Sequence, residues 1–140
     1  MDTKKEKLEN FKIAISSTVK SLSNSSKIEV SFGNQISKTE NKIIKLPDLN
    51  SLENKLNYSE IRAIADSKSL MVRFSDEKIF KNYEPVGNIS KRLYKISEKI
   101  RCEKIGSSYF KGVKNNIEEF YKKRISELDL KSSEDKIIES

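Results

Sequence analysis

The segment IRAIADSKSLMVRFSD, residues 61–76, combines helical periodicity with apolar residues on two sides. At about 100° per residue, one side carries Ile61, Ile64, Ala65, Met71 and Val72, and the other carries Ala63, Leu70 and Phe74. A helix that is apolar on two sides is usually central and mostly buried. The segment therefore predicts a central helix, which Asn57 or Ser59 can cap and which ends near Phe74 or Lys78.

A narrow polar line separates the two apolar stripes and consists of Arg62, Asp66, Ser69 and Arg73. Asp66 with its serines is similar to the D-x-S-x-S loop that holds Mg²⁺ in von Willebrand A domains. That loop needs a serine two residues after the aspartate, where this chain has Lys68, and it follows a strand. We therefore predict that Asp66 ligates no metal and orients the helix by pairing with Arg62 or Arg73. A partner-facing line and a merely solvated one remain open alternatives.

The residues before this segment predict one helix and two short strands. Apolar residues recur at spacings of 3 and 4 over residues 4–22, which indicates an amphipathic helix. Ile28, Val30 and Phe32 then alternate with polar residues, as in a half-buried strand. KIIKLP, residues 42–47, predicts a second strand that Pro47 ends. We expect the two strands to form a hairpin covered by the first helix, because a lone hairpin is only marginally stable.

The residues after the segment predict further helices. YEPVGN, residues 83–88, is a turn, and a row of apolar residues then defines a helix: Ile89, Leu93, Ile96 and Ile100. The pattern changes phase after Gly106, so we expect a kink or break near residues 105–108. The predicted fold is α+β and mostly helical, with an N-terminal helix, a two-stranded β-hairpin and two to three helices. Residues 1–130 would form one domain, and residues 131–140 a polar tail or the start of a further segment.

The composition makes the chain basic without indicating a specific nucleic-acid site. There are 28 Lys and Arg against 21 Asp and Glu, for a net charge of +7. Only five of the basic residues are arginines, whereas a phosphate-binding patch favours Arg for its bidentate contacts. Acids are also interspersed among the bases, as in KISEKIRCEK, residues 95–104. A small basic nucleic-acid-binding helical domain is therefore the alternative interpretation.

The missing residue types argue against an enzyme that works alone. The chain has no His, which is the commonest general base and a principal zinc ligand. It has no Gly-rich phosphate loop. Its one cysteine, Cys102, excludes an internal disulfide and is expected to be a small packed residue. We predict no catalytic, cofactor-binding or metal residues, no membrane span and no secretory signal, and thus a cytoplasmic protein.

Two further groups of residues receive structural interpretations. The carboxylates of Glu98, Glu103, Glu118 and Glu119 lie among lysines, so we expect solvated helix faces rather than acid–base chemistry. The aromatic group could stack on bases, but its helical spacing is more typical of core residues: Tyr109, Phe110, Phe120 and Tyr121.

The order of segments resembles the N-terminal region of the T subunits of aerobic cobaltochelatases, the CobT family. The strongest matches are ADS with the downstream LMVRF, residues 65–74, and a set within residues 101–116: Arg101, Glu103, Ile105, Gly106, Gly112, Val113 and Asn116. The resemblance covers roughly residues 8–125, and none of these matches is a catalytic signature.

The resemblance implies a role in cobalamin biosynthesis. These chelatases insert cobalt into hydrogenobyrinic acid a,c-diamide, with ATP and Mg²⁺. The resemblance further implies two partners, an S-type AAA+ ATPase subunit and an N-type large subunit that holds the tetrapyrrole. T subunits carry a C-terminal von Willebrand A domain with a metal site, which the matching residues do not include. This chain is therefore expected to act as an assembly domain that binds no cofactor and is not catalytic alone.

Overall fold

The computed structural model describes residues 3–33, 39–48 and 57–139. In chain order, the elements are α1 (Lys4–Ser23), β1 (Glu29–Phe32), β2 (Ile43–Leu46), α2 (Tyr58–Phe74), α3 (Glu77–Asn82), α4 (Asn88–Tyr109) and α5 (Lys111–Glu139). The predicted order of one helix, two strands and then helices is confirmed. Three long helices and the short α3 follow the strands, where two to three helices were expected, and α3 is the helix that was not predicted. No helix in the described ranges is long and apolar enough to cross a membrane.

Helix α1 begins at a capping box and packs one face on the sheet. The Thr3 hydroxyl accepts from the Glu6 amide at 3.2 Å, and the Glu6 carboxylate accepts from the Thr3 amide at 3.1 Å. These two bonds satisfy amides that the helix itself leaves free. The buried residues of α1 include Ile15, Val19 and Leu22, which belong to the predicted apolar face.

Strands β1 and β2 pair in parallel, so the predicted hairpin is wrong in its direction. Glu29 lies opposite Ile43, and Phe32 lies opposite Leu46. The apolar alternation is the same whichever way a strand runs, and so it cannot distinguish the two pairings. A strand of four residues is only about 13 Å long. The ten-residue connection 33–42 can therefore return the chain to the same end of the sheet.

Helix α2 lies between two hydrophobic clusters, which confirms the predicted central helix. Its N-cap is Asn57, whose side chain accepts from the Glu60 amide at 2.9 Å. On one side, Ile61 and Ala65 pack with α1 and both strands. On the other side, Leu70 packs in a cluster that joins four helices through Leu22, Leu70, Cys102, Val113 and Ile117.

A break separates α4 from α5, but at Phe110 rather than at Gly106. Phe110 has extended backbone angles, with φ −126° and ψ 103°, and α5 begins at the next residue. Gly106 is buried within a continuous α4. The glycine is there for packing, because α4 passes close to Leu70 of α2 at this point. The apolar pattern does therefore change phase, but the break that causes the change lies at Phe110, four residues after Gly106.

Helices α4 and α5 run antiparallel after this break. Cys102 of α4 packs with Val113 and Ile117 of α5, and Tyr121 of α5 bonds to Glu103 of α4. The backbone of residues 131–139 continues α5, while the predicted domain boundary at residue 130 stays a prediction.

Candidate functional site

The polar line of α2 contains one fully buried carboxylate with two partners. Asp66 has an exposed fraction of 0%. Its Oδ1 accepts from Arg62 Nε at 3.1 Å, and its Oδ2 accepts from Asn116 Nδ2 of α5 at 2.9 Å. The predicted Arg62–Asp66 pair is present, and the cluster links α2 to α5. Both carboxylate oxygens thus hold protein partners.

Burial dominates the electrostatics of Asp66. Desolvation raises the pKa of Asp66 above its ordinary value, although the bond from Asn116 and the charge and bond of Arg62 act to lower it. The arginine compensates only in part, because 39% of its side chain is exposed to water. The carboxylate is therefore held in place at an energetic cost, as is typical of a buried ion pair.

Arg73 does not join this pair, although it was the other predicted partner of Asp66. Its guanidinium donates to the Leu22 carbonyl at 3.4 Å, at the end of α1. It also lies 5.5 Å from the ring centre of Phe74 and 5.4 Å from that of Phe110. The polar line thus divides into a pair of the half-buried Arg62 with the fully buried Asp66, and an exposed Arg73 that contacts α1 and two aromatic rings.

Ser69, one of the serines that follow Asp66, bonds within its own helix. Ser69 Oγ donates to the Ala65 carbonyl at 2.7 Å. Lys68 Nζ donates to the Lys45 carbonyl at 2.5 Å. Within the described residues, no three His, Cys, Asp or Glu side chains converge in a way that could hold a metal ion. Cys102 is fully buried, and desolvation raises its thiol pKa to about 11. The prediction that it is a small packed residue agrees with this burial.

Three more polar contacts tie the helices together, and sequence reasoning missed all of them. Tyr121 donates to Glu103 at 2.6 Å, and Lys123 pairs with the buried Glu60. Arg101 donates to the Phe74 carbonyl at 2.8 Å and also pairs with Glu98. The expectation of solvated carboxylates is therefore wrong for Glu103, which is buried. It agrees with the exposed Glu118 and Glu119.

The aromatic residues of this region are only partly core residues. Phe110 packs against the cluster around Leu70, and Phe120 is half-buried. Tyr109, by contrast, is 72% exposed, and Tyr121 is 37% exposed although its hydroxyl bonds to Glu103.

Tyr121→Phe should lower the free energy of unfolding by about 1–3 kcal/mol, because a buried carboxylate loses its donor. Desolvation, and secondly this bond to Glu103, raises the pKa of Tyr121. Tyr109→Phe is the matched control, since the described residues hold no partner for its hydroxyl; we expect a change within about 0.5 kcal/mol. Urea melts of both variants test this, and equal losses would contradict it.

The apolar row that defined α4 faces solvent. Ile89, Leu93, Ile96 and Ile100 have exposed fractions between 52% and 76%. The residues of α4 that are buried are Cys102, Glu103 and Gly106, close to its C-terminal end. The prediction of the helix is thus confirmed, but more than half of each side chain in the row is left uncovered by the described chain, although Ile100 lines a cavity with Tyr121 of α5. Exposed apolar patches are common where one protein binds another.

The comparison with protein families agrees with the resemblance seen in the sequence. The family described as cobalamin biosynthesis protein CobT matches residues 5–136. That range includes α2 with the Arg62–Asp66 pair, the open row of α4 and the Asn116 that bonds to Asp66. No solved structure matches the chain. Since the match covers nearly all of its residues, the chain belongs to the CobT family of cobalamin biosynthesis proteins.

Proposed function

We propose that this chain is a non-catalytic subunit, or assembly domain, of an ATP-dependent cobaltochelatase that inserts cobalt into hydrogenobyrinic acid a,c-diamide. Its partners would be the S-type AAA+ ATPase subunit and the N-type large subunit, in the cytoplasm. ATP hydrolysis and metal insertion would belong to these partners, and this chain would supply contact surface. The family membership supports the pathway.

The observation that carries the proposal is the open apolar row of α4. Four large aliphatic side chains at spacings of 4, 3 and 4 leave a helix face without cover in the described chain. Fully burying one such side chain is worth about 1.5–3 kcal/mol. A partner that covers the row therefore gains a substantial driving force for association.

Co-purification with the S-type ATPase, with and without ATP, tests the proposal. The wild-type chain should be retained, whereas Leu93→Ser combined with Ile96→Ser should lose retention at least tenfold. Ile13→Ser is the matched control, because Ile13 is a 64% exposed isoleucine on α1, far from this row in sequence. If the wild type is not retained under either condition, the proposed function is wrong. Equal retention of the double variant would exclude the α4 row as the docking face.

Nucleic-acid binding is the alternative, and α4 is the element that favours it, with six basic and two acidic residues. A phosphate-binding face would not need an exposed row of aliphatic side chains among its lysines and arginines. Nucleic-acid binding would also weaken steeply with salt, by about 10³–10⁵-fold between 50 and 200 mM for a protein with 6–10 phosphate contacts. An electrophoretic mobility assay over this range of salt would reveal it, and we expect no such shift.

A further inference from the structure

We propose that α4 and the projecting half of α5 form a groove for an amphipathic helix of a partner protein, one whose apolar stripe is flanked by acidic residues. The proposal rests on the proposed function in one respect, which is that α4 is the docking face. The inference adds that the bound element is an amphipathic helix and that the positive charge of α4 favours a helix with acidic flanks.

The first wall of the groove is the α4 row itself. Ile89, Leu93, Ile96 and Ile100 fall within about 60° of one another around the helix at 100° per residue. They span eleven residue steps, or about 17 Å along the axis. Side chains in this pattern on one helix pack against the apolar stripe of a second, amphipathic helix.

The second wall is the part of α5 beyond its contacts with α2 and α4. Ile100 and Tyr121 line one cavity of about 370 Å³ between the two helices. On α5, a second apolar row continues from Tyr121 with Ile125 and Leu128, which are 58% and 65% exposed. Because α4 and α5 are antiparallel, the α4 row and this α5 row extend from the cavity in the same direction. Two open rows beside one cavity show that neither helix covers the other there.

The charge of α4 decides which helix fits. Of its two acids, Glu98 is paired with Arg101, and Glu103 is buried against Tyr121. Arg92, Lys95 and Lys99 are exposed, and none of the salt bridges found among the described residues includes them. Acidic flanks on an incoming helix would pair with these uncompensated cations.

The same charges argue against a second copy of this chain as the occupant. Two α4 helices packed through their rows would bring Arg92, Lys95 and Lys99 of one copy towards the same residues of the other. Like charges across an interface cost binding energy. An acidic helix gains from the same cations, so charge complementarity favours it over self-association.

Two synthetic peptides provide the direct test on the full chain. Each is an amphipathic helix of about three heptads with the same leucine stripe, and the flanking positions are all Glu in one and all Lys in the other. Fluorescence anisotropy should show at least tenfold tighter binding of the Glu peptide at about 0.1 M salt. That preference should shrink near 1 M salt, where the Debye length falls to about 3 Å.

Charge reversal on the protein gives the reciprocal test. Arg92→Glu combined with Lys95→Glu should weaken binding of the Glu peptide at least tenfold. Lys5→Glu combined with Lys7→Glu changes the net charge equally at exposed positions of α1 and should leave binding unchanged. Equal affinity for the two peptides, or equal weakening by the two double variants, would overturn the proposal. So would a dimer in sedimentation velocity that Leu93→Ser abolishes, since a second copy would then cover the row.

The outcomes also separate this inference from the proposed function. If the Glu peptide is preferred but the S-type ATPase does not co-purify, the proposed function fails and the acidic-helix site stands. If the ATPase co-purifies but the chain binds the Glu and Lys peptides equally, the docking function stands and the acidic-helix site fails.

Discussion

Arg62→Ala should lower the free energy of unfolding at pH 7 by about 3 kcal/mol, as measured in urea melts. Breaking a buried ion pair typically costs about 3–5 kcal/mol, because the remaining charge is left without compensation. Asp66 is fully buried, so its carboxylate is that charge. We expect the low end of the range, since Arg62 is already 39% exposed and shares its charge with water. Arg92→Ala is the matched control on an exposed arginine, with an expected change within about 0.5 kcal/mol.

The loss in Arg62→Ala should shrink as the pH falls towards 4. Burial raises the pKa of Asp66 in the folded chain above its ordinary value. The folded chain therefore binds a proton at the Asp66 carboxyl group more tightly than the unfolded chain does. The contribution of Asp66 to stability is complete below about pH 4, and it declines as the pH rises through the pKa of Asp66 in the folded chain. Removing Arg62 raises that pKa further, and a protonated Asp66 no longer needs the cation. An equal loss at low and neutral pH would contradict this account.

Asp66→Asn separates the structural interpretation from a metal site. The amide oxygen can still accept from Asn116, so the variant should unfold without the pH dependence that Asp66 contributes to the wild type. Added Mg²⁺ or Co²⁺ should leave the melts of both proteins unchanged. A wild-type stability that rises with either metal, and no such rise in Asp66→Asn, would restore Asp66 as a ligand.

Gly106→Val should lower the free energy of unfolding by about 2–3 kcal/mol, the upper part of the range for an overpacked core. A Cβ at this position would lie 2.9 Å from Leu70 Cγ and closer still to both methyl carbons of Leu70. Leu70 is fully buried and packed on its other sides, so it cannot move away freely. Gly112→Val is the matched control, because nothing lies within 4 Å of its added Cβ.

A double-mutant cycle assigns the loss to this contact. Leu70→Ala alone should cost about 2–5 kcal/mol through the cavity it leaves. If the added side chain at residue 106 fills that space, Leu70→Ala with Gly106→Val should cost at least 1 kcal/mol less than the two separate losses added together. Strict additivity in thermal or urea melts would mean that Gly106 is required for a reason other than its approach to Leu70.

Interactions between residues far apart in sequence were the hardest to predict. Arg62 and Asp66 stand four residues apart on one helix, so their pairing could be read from spacing alone. Asn116 lies fifty residues from Asp66, and no local pattern connects them. One signal was present, because Asn116 is the polar member of a row on α5 that otherwise consists of Val113, Ile117 and Phe120. A polar residue in such a row needs a partner, but its identity depends on which helix packs there.

The sequence by itself determined the types and order of the elements other than α3, narrowed the cap of α2 to Asn57 or Ser59, and gave α2 its central position. These follow from local periodicity and local hydrogen bonds, which the chain carries wherever its elements pack. Only the tertiary structure decided the parallel direction of β1 and β2, the break at Phe110, the burial of Glu103 and the exposure of the α4 row. Periodicity shows which face of an element is apolar, but whether another element covers that face depends on how the whole chain is arranged.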